Sequence, residues 1–202
     1  ASIGGVAVDT GAGDDTIVMG AGAYNSEING GGGTDILDLD GIGGRFTIKI
    51  DADTNGFTTK DVTGNNDFTN IGNINDSTNE NTLDLSLITG TSLTDFGTGD
   101  LLIDGTNILN MDYSVDEIIG SAQDDIVKIG LVTPGDIDFD GGAGNDTFDM
   151  SVSTTDLVVN LNQISNTVND GAWVHDLENV ENFNAGDGND NIIGSGNDNI
   201  IN

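Results

Sequence analysis

Short loops rich in glycine and aspartate recur along this chain of 202 residues, and their oxygen atoms could bind a hard cation. Residues 30–38 (GGGGTDILD) and 141–149 (GGAGNDTFD) match the pattern G-G-x-G-x-D-x-apolar-x at every fixed position. Four further segments match less completely, three of them lacking only the first glycine and the last lacking two: 10–18, 185–193, 193–201 and 119–127. We call each segment a glycine loop, and we call the aspartate two residues before its apolar position the anchor. The anchors are Asp15, Asp35, Asp125, Asp146, Asp190 and Asp198.

Calcium is the cation that suits such a loop best. Ca²⁺ takes six to eight oxygen ligands at about 2.3–2.6 Å, from carboxylates and backbone carbonyls. Glycine allows positive φ angles that turn successive carbonyls toward one point, and aspartate adds a charge on a short side chain. One loop gives half of a cage, so a second loop one coil away must complete it. We therefore predict calcium at the pair 10–15 and 30–35, at 141–146 and, with a poorer match, at 120–125.

A flexible turn would account for the glycine and aspartate but not for the apolar residue that follows each anchor at a fixed distance. That residue comes two positions after the anchor, as Ile17, Leu37, Val127, Phe148, Ile192 and Ile200. Strand periodicity therefore begins directly after each loop. An EF-hand is excluded, because its flanking helices and its bidentate glutamate are missing.

The spacing of the anchors predicts a chain that returns repeatedly to the same edge. Successive anchors are 20 residues apart in the first pair of loops and 21 apart in the second. The next interval is 44 residues, which we interpret as two coils, and the last is 8, near half a coil. Such regularity is typical of a solenoid whose coils each contribute short parallel strands.

The middle of the chain lacks good loops but keeps strand alternation. RFTIKID and TLDLSL, and later LVVNL, alternate apolar with polar residues, as half-buried strands do. We interpret residues 41–118 as degenerate coils or a β excursion. No segment has the apolar stripe of a helix, and Pro134, the only proline, is predicted to mark a bend.

Composition limits the partners and requires a counter-ion. The chain has 35 acidic residues against four basic ones, a formal charge of −31, and 30 of the acids are aspartate. Nothing here could neutralise a phosphate backbone, so nucleic acid is excluded, as is insertion into a membrane, since no apolar run approaches about 18 residues. There is no cysteine for a disulfide or thiolate metal site. A salt-adapted acidic surface is an alternative, but the bias toward aspartate and glycine favours cation-binding loops.

These loops resemble those of the RTX (repeats-in-toxin) family, whose nonapeptide calcium loops build parallel β-rolls. The segment VHDLENVENFNAGDGNDNIIG (174–194) also looks like the strand-then-loop phrase common in that family. The resemblance implies an all-β fold, a right-handed parallel β-roll or β-helix solenoid with Ca²⁺ between coils. We expect a single domain, 1–202, with calcium-binding coils at about 1–40 and 119–202 around an irregular middle.

The resemblance also implies the ligands of several calcium ions. Carboxylates would come from Asp15, Asp35, Asp146, Asp190 and Asp198, and carbonyls from Gly11, Gly13, Gly31, Gly33, Gly142, Gly144, Gly186, Gly188 and Gly196. Asp125 is kept as a candidate ligand, although its loop departs from the pattern because Ala122 replaces a loop glycine.

The family resemblance implies secretion, by a type I route, of an unfolded calcium-free chain that folds outside the cell. We therefore expect a calcium-dependent structural module of a secreted cell-surface protein, of the adhesin or surface-layer type, without catalytic activity. Besides calcium, its partners would be further copies of itself or cell-surface polysaccharide. The alternative is a non-catalytic module of a secreted polysaccharide-modifying enzyme.

Three other residue patterns could suggest different functions. His175 beside Trp173 could be a catalytic base, but it is the only histidine and no nucleophile accompanies it. We expect an aromatic pair at a bend, or a tryptophan that stacks on a sugar. Tyr24 and Tyr113 with a basic residue could serve a lyase, but nothing fixes their distance. Ice binding would need one threonine at the same place in every coil, which is not present.

Overall fold

The computed structural model describes residues 7–20, 26–39, 47–50, 56–61, 64–75, 81–111, 115–130, 135–162 and 167–202, with backbone only over 56–61 and 64–67. These residues form two β-sheets and no helix, so none of their segments is a helix long and apolar enough to cross a membrane. The expected all-β class is confirmed. Pro134, Tyr24 and Tyr113 lie outside the described residues.

The first sheet has twelve strands. They are β1 (Ala7–Asp9), β3 (Glu27–Asn29), β5 (Thr47–Ile50), β6 (Gly56–Asp61), β7 (Gly64–Thr69), β9 (Asn81–Asp84), β13 (Val115–Ile119), β15 (Asp138–Asp140), β17 (Val158–Asn160), β18 (Val168–Asn169), β19 (Val174–Glu178) and β21 (Asn191–Ile193). Their order in the sheet is β1-β3-β7-β6-β5-β9-β13-β15-β19-β18-β17-β21.

The second sheet has nine strands. They are β2 (Thr16–Val18), β4 (Ile36–Asp38), β8 (Asn73–Asn75), β10 (Ser92–Asp95), β11 (Asp100–Ile103), β12 (Thr106–Met111), β14 (Asp125–Lys128), β16 (Thr147–Asp149) and β20 (Asn182–Asn184). Their order is β2-β4-β8-β12-β11-β10-β14-β16-β20.

Most pairings are parallel because the chain passes repeatedly from one sheet to the other. β1, β3, β13 and β15 each lead through a glycine loop into the strand that follows them in the second sheet. The register aligns the apolar residues that follow the anchors: Ile17 pairs with Leu37, and Val127 pairs with Phe148. Because successive side chains of a strand point to opposite faces, this register puts one apolar column on the inner face of the sheet.

The core lies between the two sheets. Phe139 and Leu177 of the first sheet and Phe148 and Phe183 of the second belong to one buried cluster. The rings of Phe148 and His175, which come from different sheets, have centroids 5.5 Å apart. The side chains of the two sheets therefore meet face to face.

Three antiparallel excursions interrupt the parallel order. In β5–β6–β7, in β10–β11–β12 and in β17–β18–β19, the chain first runs ahead in the sheet and then returns by two antiparallel steps. The first strand of each excursion pairs in parallel with a strand that comes later, namely β9, β14 and β21. Of the two expectations for residues 41–118, the β excursion describes this topology. The third excursion accounts for the interval of 44 residues that we interpreted as two coils.

The alternation in the middle of the chain is confirmed in part. Ile48 and Ile50 are buried, as are Leu83 and Leu85, but Leu87 is 51% exposed. The strand ends at Asp84, whose carboxylate accepts a hydrogen bond from the amide of the second residue after it and turns the chain away.

The two halves of the structure repeat one another. Strands β1 to β9 and strands β13 to β21 have the same sequence of sheet assignments and the same pairings, including an excursion in the first sheet. The repeat is visible in sequence at 66–75 (NDFTNIGNIN) and 175–184 (HDLENVENFN), which share D-x-x-N-x-x-N-x-N. Our search for glycine loops missed it because this segment contains none.

Candidate metal centre

The first two glycine loops lie directly one on the other. The amide of Gly32 donates to the carbonyl of Gly11 at 2.8 Å, and the amide of Gly13 donates to the carbonyl of Gly32 at 2.6 Å. Positive φ angles occur at Gly11 (97°), Gly13 (123°), Gly31 (84°) and Gly33 (136°). A Cβ at Gly31 would also overlap the carbonyl oxygen of Gly11. Both the backbone angle and the close approach of the loops therefore require glycine here.

The second pair of stacked loops is 120–125 and 141–146. A Cβ at Gly142 would meet the carbonyl of Ser121, and one at Gly144 would meet that of Gln123. Ser121 and Gln123 thus occupy the places of loop glycines. The expectation that Ala122 replaces a loop glycine is wrong by one position.

A third pair joins the loop that contains Gly186 and Gly188 to a segment that the glycine pattern did not predict. We call each loop or segment in such a stack a row. A Cβ at Gly186 would meet the carbonyl of Ser153, and one at Gly188 would meet that of Thr155. In this earlier row Leu157, buried at 1% exposure, occupies the place of an anchor. The row is a glycine loop in position but not in composition, so its backbone stacking could not be read from the motif.

The anchors form a ladder from one row to the next. Asp35 accepts a hydrogen bond from the amide of Asp15 at 3.0 Å, and Asp146 accepts one from the amide of Asp125 at 2.8 Å. Asp190 accepts in the same way from Leu157 at 2.9 Å. In each case the anchor uses Oδ1 and the amide belongs to the equivalent residue of the neighbouring row.

A second ladder uses the residue just before the anchor, which the motif left undefined. Its aspartates accept at Oδ1 from backbone amides 2.8–2.9 Å away, and the pairs are Asp14 with Thr34, Asp124 with Asn145, and Asp156 with Asn189. In the sequence, these aspartates are marked only by their position directly before the anchor position of the earlier row.

Three anchors have a buried oxygen without a partner. Among the described residues, no hydrogen bond reaches Oδ2 of Asp15, Asp35 or Asp146. Asp35 and Asp146 are completely buried. A buried carboxylate oxygen without a hydrogen bond lowers the stability of the fold unless a proton or a cation satisfies it.

The electrostatics of Asp146 show how costly that charge is. Burial, with the nearby charges of Asp125, Glu181 and Asp124, raises the pKa of Asp146 to about 7, against the hydrogen bond from the Asp125 amide, which lowers it. At neutral pH this carboxyl therefore keeps its proton far more readily than an exposed aspartate does. Its environment is therefore complementary to a bound positive charge.

Asp125 differs from the other anchors. Ser92 donates its hydroxyl to Oδ1, while the amide and hydroxyl of Ser121 donate to Oδ2 at 2.6 and 2.9 Å. Both oxygens are thus satisfied by the protein itself. Its role as a metal ligand stays a prediction, without the unpartnered oxygen that supports Asp146.

The last glycine loop has a different register from the one expected. Ile201 pairs with Phe183, which on its other side pairs with Phe148. Ile201 therefore corresponds to Phe148, and the residue at the anchor position is Asn199, two residues earlier. Asp198 precedes that position and is exposed.

The donor set fits a hard cation. The described residues contain no group of three or more acidic or imidazole side chains placed to hold a metal, so a cation at these loops would combine few carboxylates with backbone carbonyls. Oxygen ligands of this kind suit Ca²⁺, which accepts irregular coordination, better than they suit Mg²⁺ or a transition metal. Gly196, also a predicted carbonyl donor, has no positive φ, and a Cβ there would meet nothing within 4 Å.

His175 lies in the core. It is completely buried, and its Nδ1 accepts a hydrogen bond from the amide of Ile137 at 3.1 Å. Burial lowers the pKa of His175, against the nearby charges of Asp170, Asp136 and Asp176. The expected aromatic pair of His175 with Trp173 at a bend is wrong, because His175 lies within β19 and its ring contacts Phe148, whereas Trp173 is 41% exposed. This histidine holds two strands together and has no open surface on which to act as a base.

Comparisons of the sequence with models of protein families and with curated proteins give no match.

Proposed function

We propose that this chain is a calcium-dependent structural module of a secreted cell-surface protein, of the adhesin or surface-layer type. Its two sheets are the walls of a right-handed β-roll, and calcium ions lie between stacked glycine loops. The carrying observation is the unpartnered Oδ2 of buried Asp35 and Asp146, at the point where two glycine loops meet. Asp15, Asp35 and Asp146 would supply carboxylates, and the loop backbones would supply carbonyls.

The outer surface supports the need for a divalent counter-ion. Glu117, Asp138 and Asp176 occupy directly adjacent register positions on three parallel strands. Burial, followed by the charges of Asp176, Glu117 and Asp136, raises the pKa of Asp138. Like charges that face each other across strands destabilise a sheet. Cations bound at the loops would lower the net negative charge of the chain and so weaken the repulsion between these three carboxylates.

Calcium would couple folding to location. Loops of this type fit the extracellular range of affinities, with dissociation constants on the order of 10⁻⁴–10⁻³ M. A ligand that binds only the folded state stabilises it by mass action, so the chain would stay unfolded at cytosolic calcium and fold outside the cell. The same dependence would let calcium stiffen the module where it meets other copies or cell-surface polysaccharide.

Circular dichroism in chelator and in millimolar calcium tests the proposal. We expect a largely disordered spectrum in chelator and a β spectrum with Ca²⁺. Magnesium and sodium chloride at matched ionic strength separate specific sites from charge screening, because neither should restore the β spectrum. Identical spectra in chelator and calcium, or equal recovery with Mg²⁺, would contradict calcium-dependent folding.

The site itself is tested by D146N against the control D104N. Both substitutions remove one formal charge, but Asp104 lies in the β11–β12 turn, where its Oδ1 accepts from the Thr91 amide and an asparagine can do the same. Its φ of 49° also suits asparagine. We expect calcium to stabilise D146N less than it stabilises the wild type, and to stabilise D104N as much as the wild type.

A further inference from the structure

Two short turns each lie on a stack of glycine loops, one in each half of the molecule. We call them the Asn corners: 70–72 (NIG) and 179–181 (NVE). Each begins with an asparagine at positive φ, 55° at Asn70 and 53° at Asn179. In each, the side-chain amide donates at 2.8 Å to the residue that ends the neighbouring strand, Asn29 or Asp140.

Each Asn corner packs against the glycine loop of the preceding row. The carbonyl of Asp35 accepts from the amides of Gly72 and Asn73 at 3.1 and 3.0 Å. The carbonyl of Asp146 accepts from the amides of Glu181 and Asn182 at 3.2 and 2.9 Å. The two backbones therefore meet their anchors in the same way.

The carbonyl of the corner asparagine also approaches the unpartnered oxygen of the anchor. A Cβ placed on Gly141 would contact both the carbonyl oxygen of Asn179 and Oδ2 of Asp146. A Cβ placed on Gly30 would contact the carbonyl oxygen of Asn70 and Oδ2 of Asp35 in the same way. One carbonyl and one carboxylate oxygen thus converge at each corner.

The two Asn corners differ in one side chain that bears on cation binding. Oε2 of Glu181 accepts a hydrogen bond from the amide of Asp146 at 3.1 Å, and Oε1 accepts a longer one, 3.3 Å, from the exposed side-chain amide of Asn197, which a cation can displace. In the ladder described above, this contact is the one that the anchor of the next glycine loop makes. Glu181 thus reaches from a shorter turn to the position of the next anchor, whereas its counterpart Gly72 has no side chain.

We propose that the Asn corner 179–181 completes a cation site at Asp146, with Glu181 as a second carboxylate, and that the matching site at Asp35 lacks this charge. The completely buried, unpartnered Oδ2 of Asp146 independently indicates a ligand at this place. The inference rests on the proposed calcium binding and adds a ligand that the glycine pattern does not contain. Affinity in calcium sites is tuned by the number of charged ligands, so the Asp146 site is tighter with Glu181 than it would be without that carboxylate.

The sequence offers both a loss and a gain of the second carboxylate. E181Q keeps an oxygen that can accept from the Asp146 amide, but it removes the charge and the oxygen that accepts from Asn197. Gly72 has no positive φ, and a Cβ there would meet Thr34 at 3.7 Å and the Asp35 carbonyl at 3.9 Å, which is ordinary contact. G72E therefore places a glutamate at the position of Glu181 in the other half, and G72Q is its uncharged control. E178Q removes a neighbouring charge outside the corner.

Graded removal of calcium from the folded protein with a chelator, followed by nuclear magnetic resonance, resolves the two sites. The reporters are the amides that donate to the anchors, Asp125 for the Asp146 site and Asp15 for the Asp35 site. We expect E181Q to weaken the Asp146 site about 10- to 100-fold, as loss of a supporting carboxylate does. E178Q and G72Q should leave both affinities unchanged. G72E should tighten the Asp35 site about tenfold, because it adds one charged ligand.

The outcomes separate this inference from the proposed function. If neither amide of the wild-type protein responds to calcium, the proposed function fails. If E181Q binds calcium as wild type does, the role of Glu181 is overturned and calcium binding stands. Should E181Q fail to fold even in saturating calcium, G72E decides alone: no gain over G72Q overturns the inference.

Discussion

Removing the charge of Asp146 should stabilise the calcium-free protein, although the residue is proposed to bind calcium. The pKa of this carboxyl is about 7 in the folded chain, against 3.8 for an aspartate that makes none of these interactions. A carboxyl whose pKa is higher in the folded chain binds its proton more tightly there. Folding stability therefore falls as pH rises from about 4 to about 7 and stays low above it.

The size of the effect follows from the shift. Each pKa unit corresponds to about 1.4 kcal/mol, so the ionised carboxylate lowers the stability of the calcium-free fold by at most about 4 kcal/mol above pH 7. In D146N the side-chain oxygen can still accept from the Asp125 amide, and the charge is absent. We expect D146N to be the more stable form in chelator at pH 8, with a difference from wild type that shrinks toward pH 4.

Calcium should reverse the order of stability. With millimolar Ca²⁺ at pH 8 the wild type gains the binding free energy of the ion, and D146N does not gain it at this site. Circular dichroism at several pH values measures both orders, with D104N as the charge-matched control. In chelator, where the wild type is expected to be largely disordered, the folded fractions are compared, and in calcium the urea midpoints are compared. If D146N is no more folded than wild type in chelator at pH 8, then Oδ2 of Asp146 is not an unsatisfied charge and the reasoning fails.

Two further predictions concern the loops and the core. G142A should lower the unfolding midpoint in calcium, since φ is 87° there and a Cβ would overlap the Ser121 carbonyl. The control G196A should be neutral, because its Cβ would meet nothing within 4 Å. Equal midpoints of the two variants in thermal melts would contradict the stacking. His175 should titrate below 6.5 in calcium-bound protein, because burial lowers its pKa. The stability that the buried neutral imidazole contributes is then present above pH 6.5 and is lost as pH falls below it. A histidine chemical shift that titrates at or above 6.5 would show that the imidazole is not buried.

The glycine pattern predicted the stacked loops because composition there is dictated by backbone geometry. Positions such as Gly31 tolerate no other residue, so the requirement is written directly in the sequence. The apolar residue two places after an anchor was equally informative, because strand side chains alternate. Where stacking survives without glycine, as at Ser153 and Thr155, the same backbone contact left no motif to find.

Register and long-range pairing could not be predicted from local pattern. The last loop fits the motif with Asp198 as anchor, and only the pairing of Ile201 with Phe183 shifts the anchor position to Asn199. Glu181 escaped notice because a glutamate in a short turn reaches the position that aspartate takes in a longer loop. A longer side chain can compensate for a shorter loop in this way, and the spacing of residues in the sequence does not reveal it.

The excursions would give the proposed ions a second role beyond charge neutralisation. β5, β10 and β17 each need a parallel partner that comes later in the chain, so none can complete its pairing as the chain emerges. Non-local pairing costs loop entropy before any contact forms, and a slip of one residue would turn every side chain to the wrong face. Stacked glycine loops beside β2, β4, β14 and β16 fix that register at the strand ends. Because β10 pairs with β14, and Ser92 donates to Asp125, the middle of the chain is registered against a loop stack that it does not itself contain.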